Sequence, residues 1–293
     1  MTGLADIAAA LGDRLGVFDL VCPACAPSKS PAGAARRVLR VWRTEPDFTT
    51  WCCARCGWTG HDRDGPSSAK VASARLAAMR AETDRREGET AAARLQSARR
   101  LWTRRRPIEC APAERYLREV RKIVGPIPAT VAYLPPNDQH PPAMIAAFGV
   151  LDEPEPGVLA APEPDRIVGV HLTRLKPDGC GKADVEPQKI MIGRSIGSPI
   201  VLAPLNDLLG LVLCEGIETG LSLRDATGLG VWAAGAASRM PALADAVPSY
   251  ADCVTVVVED DEEGRRGAVA LLDRLGERGI YAEPLHLAGE VAG

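Results

Sequence analysis

From residue 211 onward the chain alternates between two hydrophobic rhythms. Short apolar runs, LVLCEG at 211–216, GVWAAG at 230–235 and VTVVVED at 254–260, alternate with IETGLSLRDAT, SRMPALADAV and GRRGAVALLDRLGERG, whose apolar residues recur every three or four positions. The runs read as strands and the periodic stretches as helices, with YAEPLHL as a last strand over 281–287. This order predicts a parallel sheet covered by helices on both faces, with functional groups beyond the carboxyl ends of its strands.

Upstream the rhythm is less regular. Residues 1–20 read as helical and residues 37–42 and 48–51 as short β-like runs. Residues 67–106, rich in Ala, Arg and Glu and free of proline, read as one or two exposed helices whose charges form a solvated face. After Pro107, APAERYLREVRKIV reads as a helix, and prolines punctuate the chain to about residue 165. RIVGVHLTRL at 166–175 alternates like a strand, KPDGCGK supplies turn residues, and a second apolar run follows at 189–192. An irregular α+β module is expected here.

Charge sharpens the division. The 293 residues carry a net charge of -3, but residues 1–125 hold 23 Lys and Arg against 14 acids, giving +9, while residues 126–293 hold 12 against 24, giving -12. A basic half suits a polyanionic partner, and an acidic half with clustered carboxylates suits a divalent metal. The N-terminus has no basic stretch leading into an apolar one, and no run approaches the ~18 apolar residues of a bilayer span, so no membrane partner and a cytoplasmic location are expected. The nine cysteines are then expected as thiols or metal ligands rather than disulfides. No GxxxxGK[ST] segment occurs, so a built-in NTPase motor is not supported.

Cys22-Pro-Ala-Cys25 and Cys53-Ala-Arg-Cys56 are two CxxC knuckles separated by 27 residues. Four thiolates so spaced suit a structural Zn²⁺, a closed site that folds its module and leaves no position open for catalysis. Cys52 is an alternative to Cys53, although only Cys53 keeps the two-residue spacing to Cys56, and His61 is a reserve ligand. Around the knuckles stand Arg40, Trp42, Arg43, Arg55 and Trp58, residue types suited to phosphate contact and base stacking; the tryptophans are equally suited to filling a small core.

VVVEDDEEG sets five acids, Glu259 to Glu263, at the mouth of an apolar strand, and Glu215 follows LVLC in the same way. Alternate strand residues point to one side, so Glu259 and Asp261 can share Mg²⁺ or Mn²⁺ near Glu215. Capping of the following helix is a second use for the run; it accounts for Glu262 and Glu263, extends to Asp261, and does not reach Glu215.

LCEGIETGLSL followed by VVVEDDEEGRRGAVALLDRL resembles the Toprim domain, the catalytic fold shared by bacterial-type primases, topoisomerases and some nucleases, over residues 211 to about 288. The resemblance implies that Glu215 is a general acid/base in phosphoryl transfer and that Glu259 and Asp261 bind the metal, with Glu259 departing from the aspartate usual at the first DxD position. ERYLREVRKI, HPPAMIAAF, GVHLTRLKPDGCGKAD and EGIETGLS resemble phage- and plasmid-type primase-like proteins in which a zinc-binding domain precedes Toprim. In that comparison His171, Arg174, Lys176, Lys182 and Lys189 line a nucleotide or template groove; as plain residues they also fit the exposed face of a hairpin.

The expected architecture is multidomain α/β: a zinc ribbon over 1–65, a basic helical linker over 66–106, a primase-like α+β module over 107–210 and Toprim over 211–293. The expected function is a DNA primase or primase-like nucleotidyltransferase that binds single-stranded DNA and nucleoside triphosphates and makes short RNA primers with Mg²⁺, a replicative helicase being recruited in trans. A non-catalytic DNA-binding accessory protein of replication or recombination, favoured by the glutamate at 259, and a Toprim nuclease are the alternatives.

Overall fold

Alternation begins earlier than the N-terminal helical pattern suggests. GVFDLV forms strand β1 (Gly16–Val21) with every second residue facing inward, so the helical expectation for residues 1–20 fails at Gly16. The computed structural model describes residues 7, 10–45, 48–63, 73–149, 160–205 and 208–287, and it divides into two compact units, Met1–Arg85 and Arg86–Gly293. In the first unit β1, β2 (Arg37–Glu45), β3 (Phe48–Cys53) and β4 (Thr59–Arg63) pair antiparallel in chain order. Leu39, Val41, Trp51 and Cys53 point inward and are buried with Ile7 and Leu11. A Cβ on Gly60 would lie 2.5 Å from the Trp51 ring, so the indole occupies the space this glycine leaves.

Residues 73–103 form one helix, α1 (Ser73–Thr103). Its end is not a solvated linker: Ala98 and Trp102 are fully buried, and Trp102 Nε1 donates to the Pro162 carbonyl at 2.7 Å. The four-residue spacing puts both side chains on one helix face. They pack on an antiparallel sheet of β5 (Val131–Leu134), β6 (Ala143–Phe148), β7 (Gly169–Arg174) and β8 (Lys189–Gly193). Strand β6, AMIAAF, is buried at all six positions. Ile145 and Ala147 face α1, whereas Met144, Ala146 and Phe148 join a core that includes Tyr116 and Leu117. Those two belong to a helical turn, α2 (Pro112–Arg115), that runs into a π turn at Tyr116–Val120; the helix ends there, before Lys122 with its φ of 58°.

The C-terminal strands are β9 (Ile200–Ala203), β10 (Gly210–Cys214), β11 (Gly230–Ala233), β12 (Cys253–Val258) and β13 (Ala282–His286), in the order β13-β12-β10-β11-β9. Four are parallel and β9 runs antiparallel on the edge beside β11. Helices α3 (Ile217–Thr227) and α4 (Glu262–Glu277) cover opposite faces, while the expected helix after β11 is a 3₁₀ segment, Ala237–Ala246, containing Pro241. Val212, Cys214, Val231 and Val257 share one core with Phe148 and Tyr116, so the antiparallel and parallel sheets are packed together. Among the described residues no helix is long and apolar enough to cross a membrane.

Truncating Trp102 should therefore act on the second unit rather than on a linker. Trp102→Ala is expected to cost ~3–5 kcal/mol of that unit's stability, with Trp102→Phe losing less, measured by denaturant unfolding.

Candidate functional site

The four knuckle cysteines meet because β1 and β3 both run antiparallel to β2, so the turns that follow them leave the sheet at the same end. Leu20, Leu39 and Cys53 stand in one row across it. Cys22 Sγ lies 3.9 Å from Cys56 Sγ, and Cys25 Sγ 3.9 Å from Cys53 Sγ; all four sulfurs fall within 4.8 Å of one another. Thiolates ~2.3 Å from a tetrahedral zinc would be separated by roughly 3.8 Å, so the donor set and its spacing fit that ion. Burial pushes the Cys22 thiol up to about 12 and raises Cys25 as well. Burial acts in the same direction on Cys53, but the Cys56 and Arg55 backbone N–H groups help bring that thiol down to about 7. Cys52 alternates to the exposed face of β3, and His61 sits in β4 with its ring 6.4 Å from that of Phe48.

The candidate nucleic-acid residues of this unit divide between its two faces. Trp58 packs on the buried Trp51 with ring centroids 5.4 Å apart, Arg43 donates to the Gly12 carbonyl, and Arg55 donates to the Gly33 carbonyl at 3.0 Å. Arg40 and Trp42 point to the outer face, where Arg40 forms a two-point ion pair with Asp19 at 2.9 and 3.1 Å. Across that face Trp42 is flanked by Val17 and Thr50, and Thr50 by His61.

In the second unit, β10 and β12 are parallel with Leu213 level with Val256, which delivers Glu215 and Glu259 to the same edge. Burial, then the Glu259 carboxylate, raises the pKa of Glu215 above the ordinary glutamate range, while Lys189 opposes the rise. Gly216 separates the two strand ends closely: a Cβ there would lie 3.9 Å from Glu259 Oε1 and 3.8 Å from Glu218 Oε2. Asp261 Oδ1 accepts from the Gly264 N–H at 2.6 Å as the N-cap of α4, and Asp260 pairs with Arg265 at 2.7 Å. Unlike the thiols, the three carboxylates of Glu215, Glu259 and Asp261 do not all close to within 4.8 Å of one another. Mg²⁺ tolerates that, since it usually takes one or two carboxylates and completes its shell with water and substrate phosphate.

Three of the five candidate groove residues, His171, Lys182 and Lys189, face Glu218, and Lys189 also acts on Glu215. His171 on β7 is 2% exposed, and burial, then Lys189, lowers its pKa to about 4. Lys182 and Lys189 act on Glu218 strongly enough to help hold it ionised although burial opposes this. Arg174 and Lys176 do not join them. Strand alternation turns Arg174 to the opposite face, where it lines a 140 Å³ pocket with Arg104 and His140, and Lys176 sits in a turn, 3.4 Å from Asp184. Three residues that the sequence reading passed over also belong here. Tyr116 donates to Glu218 Oε1 at 2.9 Å with both groups buried, and Arg239 belongs to the 3₁₀ segment whose first residue, Ala237, bonds Glu215 through its backbone N–H. Glu218 carries a readable signal, a second acid one helical turn after Glu215; Tyr116 and Arg239 carry none.

Residues 210–290 match the Toprim domain, and residues 92–202 match a domain of unknown function (DUF7146). The chain therefore carries a Toprim domain, as LCEGIETGLSL and VVVEDDEEG suggest. Among solved structures it is similar to the Aquifex aeolicus primase (zinc binding and RNA polymerase domains), at 15% identity and a TM-score of 0.39, over 97% of this chain and 77% of that one. No curated protein matches it.

The purified chain is expected to hold about one zinc, lost in Cys22→Ser and kept in Cys52→Ser, by elemental analysis; acidification should release the metal because thiols must deprotonate to bind it. A second expectation concerns Glu215 in protein stripped of divalent ions. Its raised pKa means that the folded chain binds this proton more tightly than the unfolded one. The resulting contribution favours folding below the ordinary glutamate range, ~4.3, and is lost as pH rises through the raised value. Glu215→Gln should then raise Tm at neutral pH, with the gain fading as the medium is acidified; an unchanged Tm difference across that range would contradict the sign.

Proposed function

We propose that this Toprim protein is a primase-type nucleotidyltransferase that makes short RNA primers on single-stranded DNA in phage- or plasmid-type replication. The observation that carries the proposal is the convergence of Glu215, Glu218 and Glu259, at the edge of the parallel sheet, with Lys189 at the start of β8, which acts on Glu215 and Glu218, and Lys182 from the connection before it, which acts on Glu218. Carboxylates alone would serve a metal and cations alone a polyanion; both together suit phosphoryl transfer, in which a metal and a polyphosphate occupy one cleft.

Glu259 and Asp261 would hold Mg²⁺ or Mn²⁺, which when bound supplies neutralisation of phosphate charge. Glu215, whose pKa is raised by burial and by Glu259, is suited to taking and returning the proton of an attacking hydroxyl. Lys182 and Lys189 would meet the phosphates of the incoming nucleoside triphosphate, and His171 stays neutral near physiological pH. The first unit would hold template through the outer face bearing Arg40 and Trp42, leaving Trp58 to the packing around Trp51. A replicative helicase supplied in trans is part of the proposal, because the chain has no P-loop of its own.

A non-catalytic DNA-binding role has one observation in its favour, the use of Asp261 as a helix cap. Primer synthesis on single-stranded DNA with labelled ribonucleotides and Mg²⁺ separates the two. Wild type is expected to yield short oligonucleotides, with Glu215→Gln reduced by ~10²–10⁴-fold and Asp261→Asn also impaired, while template affinity by fluorescence anisotropy stays unchanged. No product from wild type alongside intact DNA binding would sink the polymerase role, and degradation of the DNA instead would make the chain a nuclease.

A further inference from the structure

Arg239 is held by three separate contacts. Its Nε donates to the Ala234 carbonyl at 3.2 Å, Nη2 donates to Ser195 Oγ at 2.9 Å, and the guanidinium lies 4.9 Å from the Phe148 ring centroid. Two of the five donors of the fork are thereby engaged and three remain. Among the described residues no carboxylate forms an ion pair with it, and burial alone lowers its pKa. A half-buried, immobilised arginine without a counter-charge is an unusual thing to maintain, since desolvation of the cation is left uncompensated.

Its surroundings say what would compensate it. Ala234, whose carbonyl anchors Nε, donates its own N–H to the Cys214 carbonyl at 2.9 Å, and the next residue, Gly235, donates to the Glu215 carbonyl at 2.8 Å. Gly235 has a φ of +83°, and a Cβ there would sit 3.0 Å from Phe148 and 3.3 Å from His171, so the loop carrying Arg239 is pressed against β6 and β7. His171, 2% exposed, has a buried Nδ1 without a hydrogen-bond partner. Ser195 is also buried, and Gly169 comes so near it that a Cβ would lie 2.9 Å from Ser195 Cβ, which fixes the hydroxyl.

We propose that Arg239, positioned by Ser195 and Phe148 and flanked by His171, is a preset clamp for the polyphosphate tail of a nucleoside triphosphate, carried on the loop whose Gly235 bonds the Glu215 backbone. The clamp rests on the reading of this cleft as a phosphoryl-transfer site. A polyphosphate is favoured over the DNA backbone because Arg239, Lys182 and Lys189 all act electrostatically on His171, and several cations around one recess match a multiply charged tail better than a singly charged diester. Ser195 is a positioning residue that acts through the arginine.

The test uses the full zinc-loaded chain with Mg²⁺, titrated with inorganic tripolyphosphate by calorimetry and with a single-stranded oligonucleotide by anisotropy, without any synthesis step. Wild type is expected to bind tripolyphosphate, Arg239→Ala about tenfold or more weakly, and Arg239→Lys in between because lysine keeps the charge but not the fork. Oligonucleotide affinity should stay level in both. Ser195→Ala should weaken tripolyphosphate binding in the wild-type background and have no further effect on Arg239→Ala, a non-additivity that a purely structural serine would not show. Tripolyphosphate binding that is absent from wild type, or unchanged in Arg239→Ala, overturns the clamp, and an equal loss of oligonucleotide affinity reassigns the arginine to the DNA backbone. Should Arg239→Ala not fold, Arg239→Lys and Ser195→Ala still decide between these outcomes. Because binding is read directly, failed primer synthesis with clamp-dependent tripolyphosphate binding would count against the polymerase role alone.

Discussion

Repulsion among carboxylates at one edge of the parallel sheet is the constraint around which the second unit is arranged. Glu215, Glu218 and Glu259 are brought near one another by the β10–α3 turn and the end of β12, and Glu218 is buried. Left to themselves these groups would protonate or push the strand ends apart. What keeps Glu218 ionised is Lys189 at the start of β8, its own backbone N–H, the Tyr116 hydroxyl from the π turn and Lys182 from the β7–β8 connection. The antiparallel sheet is therefore the electrostatic counterpart of the parallel one as well as its packing partner.

That pairing explains why β6 is buried on both faces. One face receives α1 through Ala98 and Trp102, and the other packs with the C-terminal sheet through Met144, Ala146 and Phe148. The charged cleft and the shared core form a single arrangement, in which the register that buries Phe148 also sets His171 and Lys189 toward Glu218. The Tyr116–Glu218 hydrogen bond joins groups 102 residues apart in sequence, with the π turn supplying one partner and α3 the other. A loss of packing in the core would accordingly reach the cleft.

The inner parallel strands β10, β11 and β12 were legible because each is a largely buried apolar run followed by a glycine, an acid or both, and period alone separates them from the helices. The zinc ligands were legible because CxxC spacing carries its own geometry, needing only two strands that leave a sheet at one end. Strand β9 was missed, since four apolar residues between Pro199 and Pro204 have no periodicity to read. Trp102 was read into a solvated helix because the arginines around it dominate the local pattern, and only the tertiary fold reveals that the Ala98–Trp102 face is covered. Arg174 was grouped with His171 through the resemblance to primase-like proteins, whereas three positions along a strand reverse the face. Arg239 and Tyr116 belong to no motif; their importance comes from what the fold sets beside them.

Helix capping and metal binding, the two uses open to the acidic run, meet at one residue only, Asp261. Asp261 caps α4, Glu262 and Glu263 lie in its first turn, and Asp260 pairs with Arg265. Glu259 and Glu215 are left over. Among the described residues neither has an ion-pair partner, and for Glu215 the support is the charge of Lys189 and the Ala237 backbone N–H, which do not offset burial and the Glu259 charge. A fold under selection for stability alone has little reason to hold two carboxylates against each other in this way, because replacing either with a neutral residue removes the repulsion at no structural loss. Capping thus accounts for the exposed half of the run and leaves the half-buried half to the proposed cation. It also bears on the glutamate at the first DxD position: with Asp261 drawn toward α4 by its cap, the longer Glu259 side chain can reach across the Gly216 turn toward Glu215, where a shorter aspartate would fall back toward its own strand.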